Sequence, residues 1–250
     1  MEPRDYGPFP YTPVKGRSKL EWLDGARLAV WVIPNIEFFP LTRGIAPHPG
    51  APIGNPPSVR AWAQRDYGNR VGIWRLMDVL SKHGIRASPT LNSDICDHHP
   101  QIVRAAIELG WEILGHNRTN SVWLDQLGPE EERQTIAQTL SRIAEMTGRK
   151  PAGWLGAGLA ETWHTLDYLA AEGCLYEFEK MIRRQFDTLY AEGAASGRVM
   201  AICLHPYLIG VPHRIAGLDS ALAYIRSHAG VWFATGEEIV RHWLQSGATF

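Results

Sequence analysis

Blocks of apolar positions and blocks of helical periodicity alternate along this chain, and together they predict strands followed by helices. A run of apolar residues from Ala26 to Phe39 predicts a buried strand. Apolar residues then recur at helical spacing from Asn69, and Gly84 ends that predicted helix. The later strands are predicted at 86–93, 111–117, 153–158, 199–209 and 231–235, and the later helices at 101–109, 129–146, 162–172, 177–192, 218–228 and 237–245.

The order of these elements predicts an α/β fold with a parallel sheet, because strands that alternate with helices of ten or more residues form βα units. No break divides the alternation, which predicts one domain over 1–250. Residues 1–25 are rich in proline, glycine and charge, and are predicted to form an irregular arm. Residues 40–68 are predicted to be a long irregular loop, a kind of segment that is usually functional or disordered.

Composition and charge narrow the expected partners. Hydrophobic residues make up 45% of the chain, so it can bury a sizeable core, and the net charge of -1 with dispersed basic residues argues against nucleic acid. No signal-peptide core or bilayer-spanning apolar run is present, so no membrane association is expected. Three widely spaced cysteines without a CxxC pair indicate reduced thiols in a cytoplasmic protein. The expected partners are a small-molecule substrate and other copies of this chain.

Polar residues follow the predicted strands, and in parallel sheets the active site lies beyond the carboxyl ends of the strands. Asn35 and Glu37 end the first strand, and their spacing of two places both side chains on the same side. Among apolar neighbours Glu37 is costly to bury without a partner. We expect it to be a base or an anion in a pocket, and the alternative is a strand-end carboxylate satisfied by backbone amides.

Two histidines lie toward the carboxyl ends of other predicted strands. His205 comes after an apolar strand and before a proline, where it suits general acid work near neutral pH, and the alternative is a core histidine that caps the strand. His116 and Asn120 lie four apart, a spacing that brings the side chains together only if the segment turns helically. With asparagine in the second place, this pair is a poor metal signal, and His116 is as well explained by a hydrogen bond at the strand end. The consecutive residues His98 and His99 lie just before the helix predicted at 101–109, and helix capping explains them more simply than metal binding does.

Four further residues are candidates for substrate contact. Arg65 and Tyr67 lie just before a predicted helix N-terminus, a place suited to anions or to a polar substrate edge. Asp94 follows the second predicted strand. Trp154 lies in the stretch Gly153–Gly158, which is predicted to be a tight strand end where the backbone approaches substrate. Neither a GxSxG motif nor a cysteine in a nucleophile setting is present, which argues against covalent catalysis by serine or cysteine.

With these residues the chain resembles the polysaccharide deacetylase (NodB-homology) superfamily, and more closely its cytosolic branch of allantoinases and cyclic-imide amidases. The resemblance implies a distorted, incompletely closed (β/α) barrel with parallel strands. It also implies hydrolysis of carbon–nitrogen bonds in N-acetyl sugars, ureides or cyclic imides. The segments that carry it most specifically are Asp66–Gly72, Gly115-His116, Gly153-Trp154 and Leu204–Pro206.

Three differences from the metal-dependent members accompany the resemblance. Those members have an aspartate base and an aspartate ligand where this chain has Asn35 and Glu37, and two histidines where it has His116 and Asn120. The Asn-x-Glu pattern is similar to the allantoinase branch, which implies a protein that works without a metal. The segment after Gly173–Leu175 is shorter than in relatives by several tens of residues.

The first functional hypothesis is a hydrolase of a small amide, ureide or cyclic imide that needs no cofactor. Glu37 then orients or deprotonates water, or holds the substrate nitrogen, and His205 protonates the leaving nitrogen. The residues expected to bind carbonyl groups are Asn35, His116 and Asn120.

Two other hypotheses remain open. One is a deacetylase that uses zinc or another divalent metal, with Glu37, His116 and a third ligand such as Asp94. The other is a non-catalytic barrel that binds a small ligand. In each case the shortened segment leaves a strand edge and helix faces to be covered, and we expect a second copy to cover them in a symmetric dimer or tetramer.

Overall fold

The computed structural model describes residues 19–45, 58–162, 164–172 and 183–246. Most of the predicted N-terminal arm, part of the predicted loop at 40–68 and the shortened segment around Gly173–Leu175 lie outside these residues. Within the described part of the chain, no helix is long and apolar enough to cross a membrane.

A central strand, β1, organises the sheet, and every strand that pairs with it runs parallel to it. β4 lies along one edge of β1, from the pair Leu28–Arg198 to the pair Pro34–Leu204. The other edge is shared by β5 near the start of β1 and by β2 at its end, and β3 continues the sheet from β2. The strands in the described residues are β1 Leu28–Ile36, β2 Thr90–Leu91, β3 Leu114–Gly115, β4 Arg198–Leu204 and β5 Val231–Phe233.

The sheet curls into a half-barrel with helices around it, which confirms the predicted barrel of parallel strands that does not fully close. The described helices, including short ones, are α1 Val59–Tyr67, α2 Ile73–Lys82, α3 Ile95–His98, α4 Pro100–Glu108, α5 Pro129–Thr147, α6 Thr165–Ala171, α7 Arg183–Glu192, α8 Pro206–Ile209, α9 Pro212–Arg226 and α10 Gly236–Gln245.

Both faces of β1 are covered, which explains its nearly continuous run of apolar residues. Leu28, Val30 and Val32 pack into one core cluster, and Ala29 and Ile33 pack into another. Every residue of β1 is buried. A polar side chain at the end of this strand therefore lies in the interior of the fold rather than at its surface.

All six predicted strands are shorter in the structure. The strand predicted at 86–93 is reduced to β2, and the one predicted at 153–158 to an isolated bridge between Gly115 and Trp154. The strand predicted at 199–209 ends at Leu204, because Pro206 begins the short helix α8. Proline is well suited to the first helical position, since it needs no hydrogen-bond acceptor there.

The prediction of an irregular loop was wrong at its carboxyl-terminal end. Residues 59–67 form α1, which continues through a π-helical turn at Gly68–Gly72 into α2. No residue of α1 is buried. A helix without a buried apolar face gives little hydrophobic periodicity, so the pattern of the sequence did not reveal it.

Candidate active site

Glu37 lies directly beyond β1 and is only 7% exposed. Two asparagines hold the backbone around it. Nδ2 of Asn69 donates to the Glu37 carbonyl at 2.8 Å, and the Phe38 N–H donates to Oδ1 of Asn92 at 2.7 Å. The end of the strand is therefore fixed from two sides.

Two histidines from other strand ends face the Glu37 carboxylate. Nε2 of His205 lies 3.3 Å from Oε1, and Nε2 of His116 lies 3.7 Å from the same oxygen. These residues follow β4 and β3, so the parallel strands bring all three side chains to one edge of the sheet.

Burial and the two imidazoles act on the Glu37 carboxyl group in opposite directions. Burial alone would raise its pKa, because a buried site penalises the charged form. The imidazoles of His205 and His116 favour the carboxylate and hold its pKa down at about 2. Glu37 is therefore ionised at neutral pH, and its low pKa makes it a better anion than proton acceptor.

His116 forms the closed side of the site and is only 3% exposed. Its Nδ1 donates to the Leu155 carbonyl, since a carbonyl oxygen can only accept. Nδ2 of Asn92 donates to the carbonyl of His116. These bonds fix the ring so that Nε2 points at Glu37, and they leave His116 little access to a substrate.

His205 forms the open side, with 20% of its side chain exposed. It is the residue directly before α8, where the chain leaves the sheet. An imidazole that contacts a buried carboxylate and also reaches solvent can exchange protons with a bound molecule.

Tyr207, which the sequence analysis missed, lies next to this pair. Its ring is 5.3 Å from that of His205, in a T-shaped arrangement. Burial raises the pKa of Tyr207 far above its usual value, the Glu37 charge raises it further, and Arg65 opposes both. The phenol therefore stays neutral beside the carboxylate. Pro206 is the sequence signal that could have identified Tyr207, because a helix that begins at Pro206 carries Tyr207 back toward the site.

Arg65 is close to the site but contacts aromatic rings rather than Glu37. Its guanidinium carbon lies 4.5 Å from the centroid of the Tyr207 ring and 5.7 Å from that of Phe39. Arginine over aromatic faces is a cation–π arrangement. The predicted role of Arg65 in substrate binding stays a prediction.

Three other predicted site residues are engaged elsewhere. Oδ1 of Asn35 accepts the Thr90 hydroxyl at 2.8 Å, so this side chain joins two strands. The Tyr67 hydroxyl accepts from Arg75 at 2.6 Å. Asp94 pairs with Arg118 at 3.3 Å. No described contact joins these three side chains to the Glu37 carboxylate, and their role in substrate binding stays a prediction.

The backbone of Asn120 lies beside the segment that follows Glu37, and the helical spacing of His116 and Asn120 does not form. No helix forms at 116–120, and Asn117 has a left-handed backbone with φ 54°. The Asn120 N–H donates to the Phe38 carbonyl at 3.0 Å. Its Oδ1 is buried and has no hydrogen-bond partner among the described residues. A bound molecule could supply that partner.

Trp154 is 1% exposed and lies in a core cluster with Leu124, Ile136 and Leu140. A Cβ at Gly115 would lie 2.4 Å from its ring, so the motifs Gly115-His116 and Gly153-Trp154 pack directly on each other. The geometry favours a packing role for Trp154, and substrate contact by it stays a prediction.

The donor set does not fit a zinc centre. A structural or catalytic zinc site needs three or four convergent protein ligands. Of the positions that the resemblance implies, only Glu37 and His116 keep ligand chemistry, and the nearby imidazole of His205 faces the Glu37 carboxylate itself. Asp94, the third ligand considered, is paired with an arginine. In the ranges that the structure covers, no group of three or more His, Cys, Asp or Glu is arranged to hold a metal ion.

Two cavities meet at Pro40, which lines both, and neither is lined by Glu37, His116 or His205. One of about 920 Å³ is lined by polar residues beyond the ends of β2 and β3, among them Asp94, Asn117 and Ser121. A smaller one of about 260 Å³ is lined by Phe38, Arg65 and others. Both volumes can accept a small molecule or one of its groups.

Comparison with known proteins shows which family this chain resembles. Residues 56–174 match the polysaccharide deacetylase family. A Schizosaccharomyces pombe protein described as a polysaccharide deacetylase is 25% identical over an alignment of 281 positions, gaps included, which covers 88% of this chain and 86% of that protein. These findings confirm the resemblance to polysaccharide deacetylases.

Two solved structures share the fold. The Puue allantoinase superposes with a TM-score of 0.86 at 21% identity, covering 98% of this chain and 100% of its own. A polysaccharide deacetylase of Pseudomonas aeruginosa PAO1 superposes with a TM-score of 0.81 at 22% identity, covering 89% of this chain and 92% of its own.

Proposed function

We propose that this chain, which carries a polysaccharide deacetylase domain, hydrolyses a carbon–nitrogen bond of a small amide, ureide or cyclic imide without a bound metal. The observation that carries the proposal is the buried Glu37 carboxylate, 3.3 Å from the partly exposed imidazole of His205. Chemistry of this kind needs an anion and a proton carrier in contact, within reach of a substrate.

Hydrolysis adds water to the carbonyl carbon, breaks the carbon–nitrogen bond and delivers a proton to the leaving nitrogen. His205 takes the proton that the attacking water loses and passes it to the leaving nitrogen, because it is the imidazole with access to solvent. Glu37 orients the water and stabilises the protonated imidazole, a role that its low pKa favours over that of a strong base. Asn120 and the neutral phenol of Tyr207 hold the polar edge of the substrate.

The substrate class rests on two observations. The Asn35-x-Glu37 pattern is similar to the allantoinase branch, and the Puue allantoinase shares the fold over almost the whole chain. Ureides and cyclic imides also need no metal-bound water if the protein supplies both the anion and the acid. N-acetyl sugars belong to the alternative of a metal-dependent deacetylase.

A substrate screen with metal analysis tests this proposal. The purified protein is assayed against ureides, cyclic imides and acetamido sugars, with and without chelator, and its zinc content is measured. We expect turnover of a ureide or imide that survives the chelator, with far less than one zinc per chain. Turnover of acetamido sugars that the chelator abolishes would support the metal-dependent deacetylase instead. Binding without any turnover would support the non-catalytic ligand-binding protein.

We also propose that the protein acts in the cytoplasm as a dimer or tetramer. The location rests on the wide spacing of its three cysteines, and the assembly rests on the short segment after Gly173–Leu175. Sedimentation at micromolar protein tests the assembly, and a monomer near 28.0 kDa would contradict it.

A further inference from the structure

Residues Gly68–Gly72 form a π-helical turn between α1 and α2, which we call the π turn. Turns of this kind are rare inside helices and occur frequently at functional sites. Three of its residues, Gly68, Asn69 and Gly72, are buried. None of the five touches the Glu37 carboxylate in the described contacts, so the role of this motif is not explained by direct chemistry.

The two glycines of the π turn face the segment that carries His205. A Cβ at Gly72 would lie 2.2 Å from the Pro206 carbonyl oxygen, and a Cβ at Gly68 would lie 2.9 Å from the Tyr207 backbone nitrogen. Both glycines have ordinary helical backbones, with φ −55° at Gly68 and −61° at Gly72. Glycine is therefore required here by the close approach of two backbones rather than by conformation.

The third buried residue of the π turn holds Glu37. Nδ2 of Asn69 donates to the Glu37 carbonyl at 2.8 Å, in a buried hydrogen bond. Loss of this bond would leave a buried carbonyl without that donor, which is unfavourable. The π turn thus contacts the backbone of Glu37, the proposed anion. It also contacts the backbone of Pro206 and Tyr207, which directly follow the proposed acid His205.

We propose that the π turn sets the separation between Glu37 and His205, with Asn69 positioning Glu37 and the two glycines positioning His205. Gly68, Asn69 and Gly72 are then positioning residues, since they act through the backbone of other residues. The consequence for catalysis rests on the proposed function, whereas the positional effect is measurable without any substrate.

The chain offers a matched control for the glycine substitutions. Gly217 lies in the helix α9, and a Cβ there would meet nothing within 4 Å. Alanine is favoured over glycine in a helix by up to about 1 kcal/mol, so Gly217→Ala changes helix propensity without a clash. Gly68→Ala, Gly72→Ala and Asn69→Ala test the contacts themselves.

The direct test follows histidine imidazole signals by NMR in protein labelled at its histidines. His205 is assigned with His205→Gln. His83 serves as an internal reference, because it ends α2 and its Nε2 lies 2.6 Å from Asp219, in a pairing separate from the site. We expect the imidazole signal of His205 to shift in Gly68→Ala, Gly72→Ala and Asn69→Ala. It should not shift in Gly217→Ala, and the His83 signal should be unchanged in all four variants.

Two results would overturn the proposal. One is an unchanged His205 signal in folded Gly68→Ala and Asn69→Ala, which decide the matter if Gly72→Ala does not fold. The other is an equal shift of His205 and His83, which would show general loosening of the helix rather than positioning.

Turnover gives a second readout that separates this proposal from the proposed function. Where a substrate is found, Gly72→Ala should lower kcat about a hundredfold with a smaller change in KM, since misplacement by about 1 Å can cost that much. Normal kcat in Gly72→Ala would contradict the positioning role. Absence of any substrate, with the NMR shifts still observed, would contradict the proposed function alone.

Discussion

Two buried carboxylates in different regions of this molecule have different kinds of partner. Glu132, 1% exposed in α5, accepts the Thr162 hydroxyl at 2.8 and 3.1 Å and also the Thr165 hydroxyl. Glu37 faces two imidazoles instead, and its Oε2 has no hydrogen-bond partner among the described residues. Burial alone does not mark a catalytic carboxylate, whereas the chemistry of its partners does.

The difference follows from the local structure. Glu132 lies near the start of α5, where the helix dipole favours negative charge and neutral hydroxyls complete its hydrogen bonds. Those hydroxyls do not ionise at neutral pH. The partners of Glu37 are ionisable, and one of them is open to solvent. The proposed function therefore places the chemistry at Glu37, and we expect Glu132 to contribute to stability.

The largest expected effect is a loss of turnover on substitution of His205, the partly exposed partner of Glu37. His205→Ala should lower turnover about a hundredfold or more, because it removes the proton carrier. The double variant with Glu37→Gln should lose little beyond the worse single one, since the two residues act as a unit. Steady-state kinetics measure both.

His83→Ala is the control for that substitution. His83 is also a buried histidine paired with a carboxylate, Asp219, but it lies at the end of α2. It should change stability and leave turnover within a few-fold of wild type. Wild-type rates in His205→Ala would remove this residue from the mechanism.

The second prediction concerns pH. The folded pKa of Glu37, about 2, lies below the ordinary value of 4.5, so its ionised form stabilises the fold above 4.5. That contribution is lost as the pH falls from 4.5 toward 2. Between pH 6 and pH 3, wild type should lose about 2 kcal/mol more unfolding free energy than Glu37→Gln. Urea unfolding at both pH values measures this, and parallel losses would contradict the low pKa.

The third prediction sharpens the account of Glu132. Thr165→Val removes a hydroxyl that donates a hydrogen bond to the buried carboxylate of Glu132. The substitution should lower the free energy of unfolding by about 1.5 kcal/mol. Thr139→Val is the matched control, because that hydroxyl is buried without a partner among the described residues. The control should be neutral or stabilising. Equal changes in the free energy of unfolding for Thr165→Val and Thr139→Val, measured in urea, would show that the hydrogen bond to Glu132 adds nothing to stability.

The smallest expected effect concerns metal. Asn120→His adds a further ligand-type residue to a site that has Glu37, His116 and His205, and should raise zinc affinity about tenfold over a weak wild-type value. Competition with a chromophoric chelator measures the affinity. The gain should disappear in the double variant with His116→Ala. Tight, stoichiometric zinc in wild type would contradict the account of a site that does not fit a metal.

The convergence of Glu37, His116 and His205 could be predicted from sequence, because parallel strands deliver their carboxyl-end residues to one edge. Periodicity located most of the helices as well. Exact strand lengths could not be read in the same way. Apolar runs such as 199–209 continue past the sheet, and only Pro206 signals where the strand gives way to a helix.

The parts that the sequence did not reveal depend on contacts between distant segments. The helix α1 has no buried face, so hydrophobic periodicity could not predict it. Tyr207 reaches the site only because α8 starts directly after His205. The Asn35 side chain accepts a hydrogen bond from Thr90 of the neighbouring strand, a partner that no spacing along the chain identifies.

The most direct test of the central claim compares Glu37→Gln with Glu132→Gln on the same substrate. Both substitutions neutralise a buried carboxylate and keep its shape. The account predicts that Glu37→Gln loses about a hundredfold or more in kcat, while folded Glu132→Gln keeps kcat within a few-fold of wild type. Equal losses in the two variants, or an unchanged kcat in Glu37→Gln, would contradict it.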